Sequence, residues 1–327
     1  MKALKDVTAA ELKPLASDAS PQVGQAHLQR RALIAAQPTI TVAEALNILA
    51  THNIISLPIY SHYQADKIVN IVDIRDILAY VTSLPPNQTP DPNVAHAPSA
   101  VPESWKQKLE SSIEAVMTLD PAKESYRFFQ CEVQDSIRRV IAAFSSGIHR
   151  ALVEDYSDSP RHPHPSFLLT QTDIICYVFE HPDVVPANLL NASLRELFPN
   201  AFNHPLFTVR NTDTAHSALQ RMDCEYRTAA AVLDESGRIV DNMSASDLRG
   251  LTESALLLLY APVVNFLERL NPRRGSPITA QEHTTLRDLI TQVWENRVHR
   301  SWVVDDQQHP IAVITHTDII ALFNERL

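Results

Sequence analysis

The chain has 327 residues, 45% of them apolar and 20% charged, enough for ordinary hydrophobic cores and, by length, roughly two domains. Lys and Arg total 28 against 38 Asp and Glu, a formal charge of -10, so the positive field that phosphate-backbone binding relies on is missing and nucleic acid is not an expected partner. The longest apolar run, ALLLLYAPVV at 255–264, is too short for a bilayer and contains Pro262, and MKALKDVTAAELKPLASDAS lacks the apolar stretch of a signal peptide; neither a membrane span nor secretion is expected.

In chain order the elements repeat four times. After an N-terminal segment (1–24), the first unit (25–83) reads TITVAEALNILATHNIISLPIY, a helix period followed by a strand, then KIVNIVDIRDILAYV, a strand entering a helix at Asp76. Residues 84–104 form a linker, extended and weakly ordered because six prolines fall between 84 and 102. The second unit (105–182) carries CEVQDSIRRVIAAFSSGIHRALVED and SFLLTQTDIICYVFEH, with Asp173 at the matching place. A connector (183–204) leads to the third unit (205–270), with FTVRNTDTAHSALQRMDCEYRTAAAVLD and GRIVDNMSASDLRGLT around Asp247. The fourth (271–327) has ITAQEHTTLRDLITQVWENRVHRSWVVDD and PIAVITHTDIIALFN around Asp318. The four aspartates are 97, 74 and 71 residues apart, and the Pro-rich linker accounts for the long first interval.

Apolar spacings such as Ala45, Leu46, Leu49 and Leu219, Met222 place one helix face against strands such as SLPIY, AAAVL and SWVV. A unit this small cannot cover its own sheet, so two modules of neighbouring repeats are expected, about 25–182 and 200–327. Segment 254–270 reads as a connecting helix that starts or kinks at Pro262.

Three widely spaced cysteines, Cys131, Cys176 and Cys224, suggest neither a disulfide framework nor a zinc site and fit a reducing cytoplasm or nucleus. Five glycines are too few and too scattered for GxGxxG, GxxxxGK[ST] or GxSxG. His162-Pro163-His164 could bind a metal, but nothing nearby completes a ligand set, so a solvated loop is expected and no metal site. No catalytic pair stands out, and the repeats leave no room for a catalytic domain; the chain reads as a non-enzyme.

Two sets of residues carry chemistry. Thr170 with Asp173, Ser244 with Asp247, Thr315 with Asp318, and Asp73 with Asp76 each stand at the [ST]xxD spacing of a helix N-cap, and capping alone is one reading. The other is that the ionised aspartate accepts hydrogen bonds from the vicinal hydroxyls of a ribose, beside helix N–H groups that suit a phosphate. The second set is His149-Arg150 and His299-Arg300, each just before a central strand, with neutral Ile55-Ser56 and Thr228-Ala229 at the equivalent places. Arg offers a planar fork and His a further donor to phosphate oxygens, against a bland reading as solvated basic pairs. Thr170, Thr212, Ser244, Thr315 and Thr317 are candidate supporting hydroxyls, with plain strand-end solvation as the other reading of Thr212 and Thr317.

These motifs together resemble the cystathionine-beta-synthase (CBS) domain, and four in tandem resemble the gamma subunit of AMP-activated and SNF1-type protein kinases. The likeness is most specific in GRIVDNMSASDLRGL, ENRVHRSWVVDD and AVITHTDII. It implies an α/β fold of four CBS repeats, small mixed sheets with two packed helices each, paired into two Bateman modules. It also implies AMP, ADP or ATP as ligand rather than a catalytic cofactor, with ribose contacts from Asp76, Asp173, Asp247 and Asp318 and phosphate contacts from His149, Arg150, His299 and Arg300. The partners it implies are alpha-like and beta-like kinase subunits, with the chain as an energy sensor. The sequence departs from the family at Ile55, where the first repeat carries arginine, and at Thr172, where the second carries lysine; Asp173 is an aspartate that familiar gamma subunits lack. SASDLRGL also resembles kinase-independent CBS regulators of stress response, cell cycle or a phosphatase, which is the alternative reading.

Overall fold

The first helix of every repeat ends on a residue with positive φ, which turns the chain back into the central strand. These residues are Asn53, Gly147, Tyr226 and Arg297, at φ 52°, 89°, 53° and 54°. Only the second repeat uses glycine there; the other three hold a side chain in the left-handed region, at a cost on the order of 1 kcal/mol each. The structure, a computed structural model, describes residues 3–12, 33–64, 67–83, 100–117, 129–156, 164–272 and 274–327. The Pro-rich stretch 84–99 and the side chains of His162-Pro163-His164 lie outside the described residues.

The first repeat comprises α1 (Val42–Thr51), β1 (Ser56–Tyr60), β2 (Ile68–Asp73) and α2 (Ile74–Thr82), followed by α3 (Glu103–Leu109) and α4 (Glu114–Met117). The second comprises β3 (Phe129–Glu132), α5 (Ile137–Ser145), β4 (Arg150–Asp155), β5 (His164–Thr170) and α6 (Gln171–Glu180), followed by α7 (Ala187–Leu190) and α8 (Leu194–Leu197). The third has β6 (Thr208–Arg210), α9 (Ala215–Cys224), β7 (Ala229–Leu233) and β8 (Ile239–Ser244), which runs into a 3-10 turn, Ala245–Leu248. A 3-10 segment, Glu253–Tyr260, then leads to α10 (Val263–Leu270), with Pro262 at its N-cap, so the helix begins where the proline was expected to start or kink it. The fourth has β9 (Thr279–Ala280), α11 (Leu286–Glu295), β10 (Arg300–Val304), β11 (Pro310–Thr315) and α12 (His316–Arg326).

Each sheet is mixed. The central strand pairs antiparallel with the strand after it and, in the last three repeats, parallel with the strand before the helix. In the first repeat that outer strand shrinks to a single bridge, Ala36 to Ile59. Central strands such as Leu57–Ile59 and Ala229–Val232 are buried along their length, as both-sided packing requires.

By packing, the chain divides into two units. One comprises 1–33, 128–204 and 278–327 and so holds the second and fourth repeats; the other comprises 34–127 and 205–277 and holds the first and third. Neighbouring repeats are tied together differently, by exchange of the segments that lead into them. Residues 4–12, ahead of the first repeat, lie on the second, where Ile137 donates to Val7 O at 2.8 Å and Leu4, Val7 and Ala9 are fully buried. Residues 109–117 lie on the first repeat, with Val42 donating to Ser111 O at 2.9 Å. The same swap relates the later pair: Leu194 donates to Thr284 O at 2.9 Å in the fourth repeat, and Val263 donates to Asp213 O at 2.8 Å in the third. The expected neighbour modules, 25–182 and 200–327, are not the compact units, which instead put the first repeat with the third and the second with the fourth. Two expected boundaries move for the same reason. Trp105, Leu109, Ile113 and Val116 share a core with the first repeat rather than opening the second at 105, and Val184, Leu190 and Leu194 make the 183–204 connector part of the core of the second and fourth repeats. An apolar leading segment buries its side chains wherever a strand and helix leave a face open, and its own repeat's face is already taken.

Candidate functional site

The register of the sheets brings the two sequence motifs to one place. Arg150 pairs with Thr170, Arg300 with Thr315, Ser56 with Asp73 and Ala229 with Ser244, so the residue that opens each central strand lies across from the N-cap of the helix that follows. The residue after the cap donates its N–H to the carbonyl just before the strand: Gln171 to His149 at 3.2 Å and His316 to His299 at 3.0 Å. Ile74 to Ile55 at 2.8 Å and Ala245 to Thr228 at 3.2 Å repeat the bond in the other unit. Each aspartate sits three residues after its cap, at this junction.

All four aspartates do take part in capping, each accepting from the N-cap residue three positions before it. The Oδ2 of Asp318 accepts from Thr315 N at 2.7 Å and Thr315 Oγ1 at 2.6 Å. Asp173 Oδ2 accepts from Thr170 N at 2.6 Å and Oγ1 at 2.7 Å, and Asp247 Oδ2 from Ser244 N at 2.6 Å and Oγ at 2.8 Å. In the first repeat the cap is a carboxylate, which has no hydroxyl to donate; Asp76 Oδ2 accepts the N–H of Asp73 at 3.3 Å, while Asp73 Oδ1 accepts from Arg75 N at 3.0 Å. Capping and ligand binding do not exclude one another, because a carboxylate has a second oxygen. Asp318 keeps that oxygen, Oδ1, without a hydrogen-bond partner among the described residues. Asp247 does not: Arg274 Nη1 donates to its Oδ1 at 3.2 Å. Burial pushes the Asp247 carboxyl up from its ordinary range, against the pull of Arg274 and of the Ser244 bonds.

The unit with the second and fourth repeats gathers the basic residues. His316, the first residue of α12, is 2% exposed, and neither ring nitrogen has a hydrogen-bond partner. Its ring meets that of His299 edge-on at 5.3 Å between centroids. Burial, then the charges of Arg300 and His149, push it down to about 3, so it stays neutral at ordinary pH. His149 from the second repeat and Arg300 from the fourth thus act on one imidazole. Gln171, at the matching position in α6, donates to Thr317 Oγ1 at 2.9 Å and to Phe144 O and Ile148 O at 3.2 Å. Thr317, expected as a supporting hydroxyl, is held in this contact. Thr212 is exposed in the turn after β6, and no hydrogen bond joins it to Ser244 or Asp247.

Three residues at these junctions were not singled out by sequence: Gln171, His316 and Arg274. The first two had a signal, since the position after the cap is polar in the second and fourth repeats and apolar, Ile74 and Ala245, in the first and third. Arg274 had none, lying 27 residues beyond the aspartate it touches. Among the described residues no group of three or more His, Cys, Asp or Glu could hold a metal, and no helix is long and apolar enough to cross a membrane.

Comparison with known proteins agrees with this architecture. The CBS domain profile matches residues 26–83 and 272–325. An Arabidopsis thaliana SNF1-related protein kinase regulatory subunit gamma-like protein, PV42a, is 22% identical over 90% of this chain and 92% of its own length. The SDS23 protein of Meyerozyma guilliermondii is 24% identical over 84% of this chain, which spans only 55% of that relative's length. A solved structure from Methanocaldococcus jannaschii, described as a candidate archaeal homologue of g-AMPK, superposes with a TM-score of 0.63 over 90% of this chain and 97% of that one at 15% identity, a likeness of fold. The CBS-domain matches at 26–83 and 272–325, the four matching junctions and the exchanged leading segments together make the chain similar to tandem CBS-domain proteins, among them a gamma-like regulatory subunit of an SNF1-related kinase and the SDS23 proteins.

Proposed function

We propose that the chain is a non-catalytic regulatory protein that binds an adenine nucleotide, AMP, ADP or ATP, at the cap junctions of its CBS repeats. The observation that carries this reading is the pairing, in one unit, of an Asp318 oxygen left without a partner with the basic residues His149, Arg150, His299 and Arg300. Asp318 and Asp173 would accept ribose hydroxyls, and Arg150 and Arg300, with their histidines, would donate to phosphate. Asp76 and Asp247 have the same formal role in the other unit, where no basic pair accompanies them. A ligand that prefers one arrangement of the repeats shifts its population, which a partner then reads.

The partner proposed is a kinase complex with alpha-like and beta-like subunits, as the likeness to a gamma-like regulatory subunit suggests. A second reading is a kinase-independent regulator of stress response, cell cycle or a phosphatase, favoured by Ile55 and Thr172 where the resemblance implies basic residues, by the Pro-rich insertion, and by the likeness to SDS23 proteins. Either would work in cytoplasm or nucleus, consistent with three free cysteines.

Titration calorimetry of the full chain with AMP, ADP and ATP, repeated on Asp318→Asn, tests the nucleotide reading. Saturable binding weakened in the variant is expected, and no binding to the unaltered chain rejects it. Affinity purification separates the partners: kinase subunits are expected, and their absence with a phosphatase or other regulator present favours the second reading.

A further inference from the structure

Asp247 and Asp318 occupy equivalent places and are held in the same way through Oδ2, which leaves Oδ1 as the atom that distinguishes them. In the third repeat Oδ1 is taken by a guanidinium. Arg274 Nη1 donates to Asp247 Oδ1 at 3.2 Å, and Nη2 to Asp241 Oδ1 at 2.7 Å and Asn242 O at 2.8 Å. The three side chains are 14%, 16% and 13% exposed for Arg274, Asp247 and Asp241, so water does not screen the contact as it would at the surface.

We infer that Arg274 is a resident occupant of the ribose position in the third repeat: its guanidinium stands where the ligand hydroxyls would bind, and it sets how many nucleotides the chain takes. The inference rests on the reading of Asp318 and Asp247 as ribose acceptors. Two further observations favour an occupant that can leave over a purely structural ion pair. The Nε of Arg274 is buried without a partner, so the guanidinium is not fully satisfied where it lies. Arg274 also lies outside any helix or strand, so no regular backbone hydrogen-bond ladder fixes the start of its side chain. While the arm is in, the apparent affinity of the third repeat falls by the fraction of time it is out.

The test uses the full chain with AMP and with adenosine, which carries the ribose diol without phosphate charge. Arg274→Met combined with Asp241→Asn removes the occupant without leaving two unpaired carboxylates. Calorimetry should then show one more site per chain than the unaltered protein, with adenosine affinity there raised at least about tenfold; adding Asp247→Ala should remove it again. An unchanged site number in the folded double variant overturns the inference. Asp247→Asn in the otherwise unaltered chain provides a second arm that keeps Arg274. No change in AMP stoichiometry is expected, and loss of a site overturns the inference, because it means that Asp247 already holds ligand. Failure of the underlying reading looks different: the unaltered chain then binds no AMP, or binds it independently of Asp318.

Discussion

The two units share one repeat design and differ at its chemical end. In the unit of the second and fourth repeats, both central strands open with His-Arg, the residues after the caps are Gln171 and His316, and Asp318 has an oxygen to offer. In the unit of the first and third repeats, the same positions read Ile55-Ser56, Thr228-Ala229, Ile74 and Ala245, Asp76 is capped against another carboxylate, and Asp247 is held by Arg274. That unit spends its interior on apolar and aromatic packing instead, with Trp105 stacked on Tyr260 at 5.6 Å and His216 close by at 5.9 Å from both. A repeat can thus keep its backbone and hydrogen-bond frame while losing the groups that recognise a ligand, since the frame is made by main chain and caps and the recognition by side chains at a few register positions.

The largest effect should be one on which the units agree. Phe323→Ala in one core and Phe266→Ala in the other each remove a ring that is 1% and 0% exposed, and each should cost about 3–5 kcal/mol, read from denaturant midpoints with amide exchange to locate the loss. Exchange that rises equally in both units after either change would remove the distinction between them.

Acid should act most on the unit of the second and fourth repeats, through His316, although burial pushes His216 of the other unit in the same direction. The folded His316 is pushed down to about 3 from an ordinary 6.5, so between those values the unfolded chain binds a proton that the folded one does not. Stability contributed by keeping the ring neutral is present above 6.5 and is lost as the pH falls below it, by about 2 kcal/mol at about pH 5. His316→Leu should flatten this part of the stability profile measured by urea unfolding. An equal pH slope in variant and parent would break the assignment.

Ligand binding comes next in size. Replacing Arg300 by Ala should weaken AMP binding about tenfold or more, the scale of one charge-assisted hydrogen bond, whereas the charge-neutral change Ser56→Ala should leave it unaltered. Equal losses would erase the contrast on which the functional reading rests. The smallest effect concerns what the units have in common: Thr41 accepts from Glu44 N at 3.1 Å and Thr285 from Asp288 N at 3.2 Å, so Thr41→Ala and Thr285→Ala should each cost about 1 kcal/mol in thermal or urea unfolding.

The repeat itself was legible because local chemistry writes it: the helix period of Ala45, Leu46 and Leu49, the cap spacing of Thr315 and Asp318, and the strand SLPIY are all short-range signals, and the structure places a helix, a cap and a strand on each. The pairing of Arg150 with Thr170 and of Arg300 with Thr315 follows the same repetition although the hairpin loops differ in length, because the apolar pattern that must face the core sets the register of each strand pair. Tertiary structure alone decided the rest. Which apolar leading segment covers which repeat depends on faces left open by distant parts of the chain, so residues 4–12 and 109–117 lie on each other's repeats although nothing local marks them for exchange. Whether an aspartate is open or occupied depends on one long side chain arriving from 27 residues away, and a guanidinium with several rotatable bonds carries no sequence signature of its destination. Sequence determined the four junctions and their residue types; the packing of chain segments determined which units they share and which of their oxygens remain to be used, because burial and long-range hydrogen bonding are properties of the assembled fold.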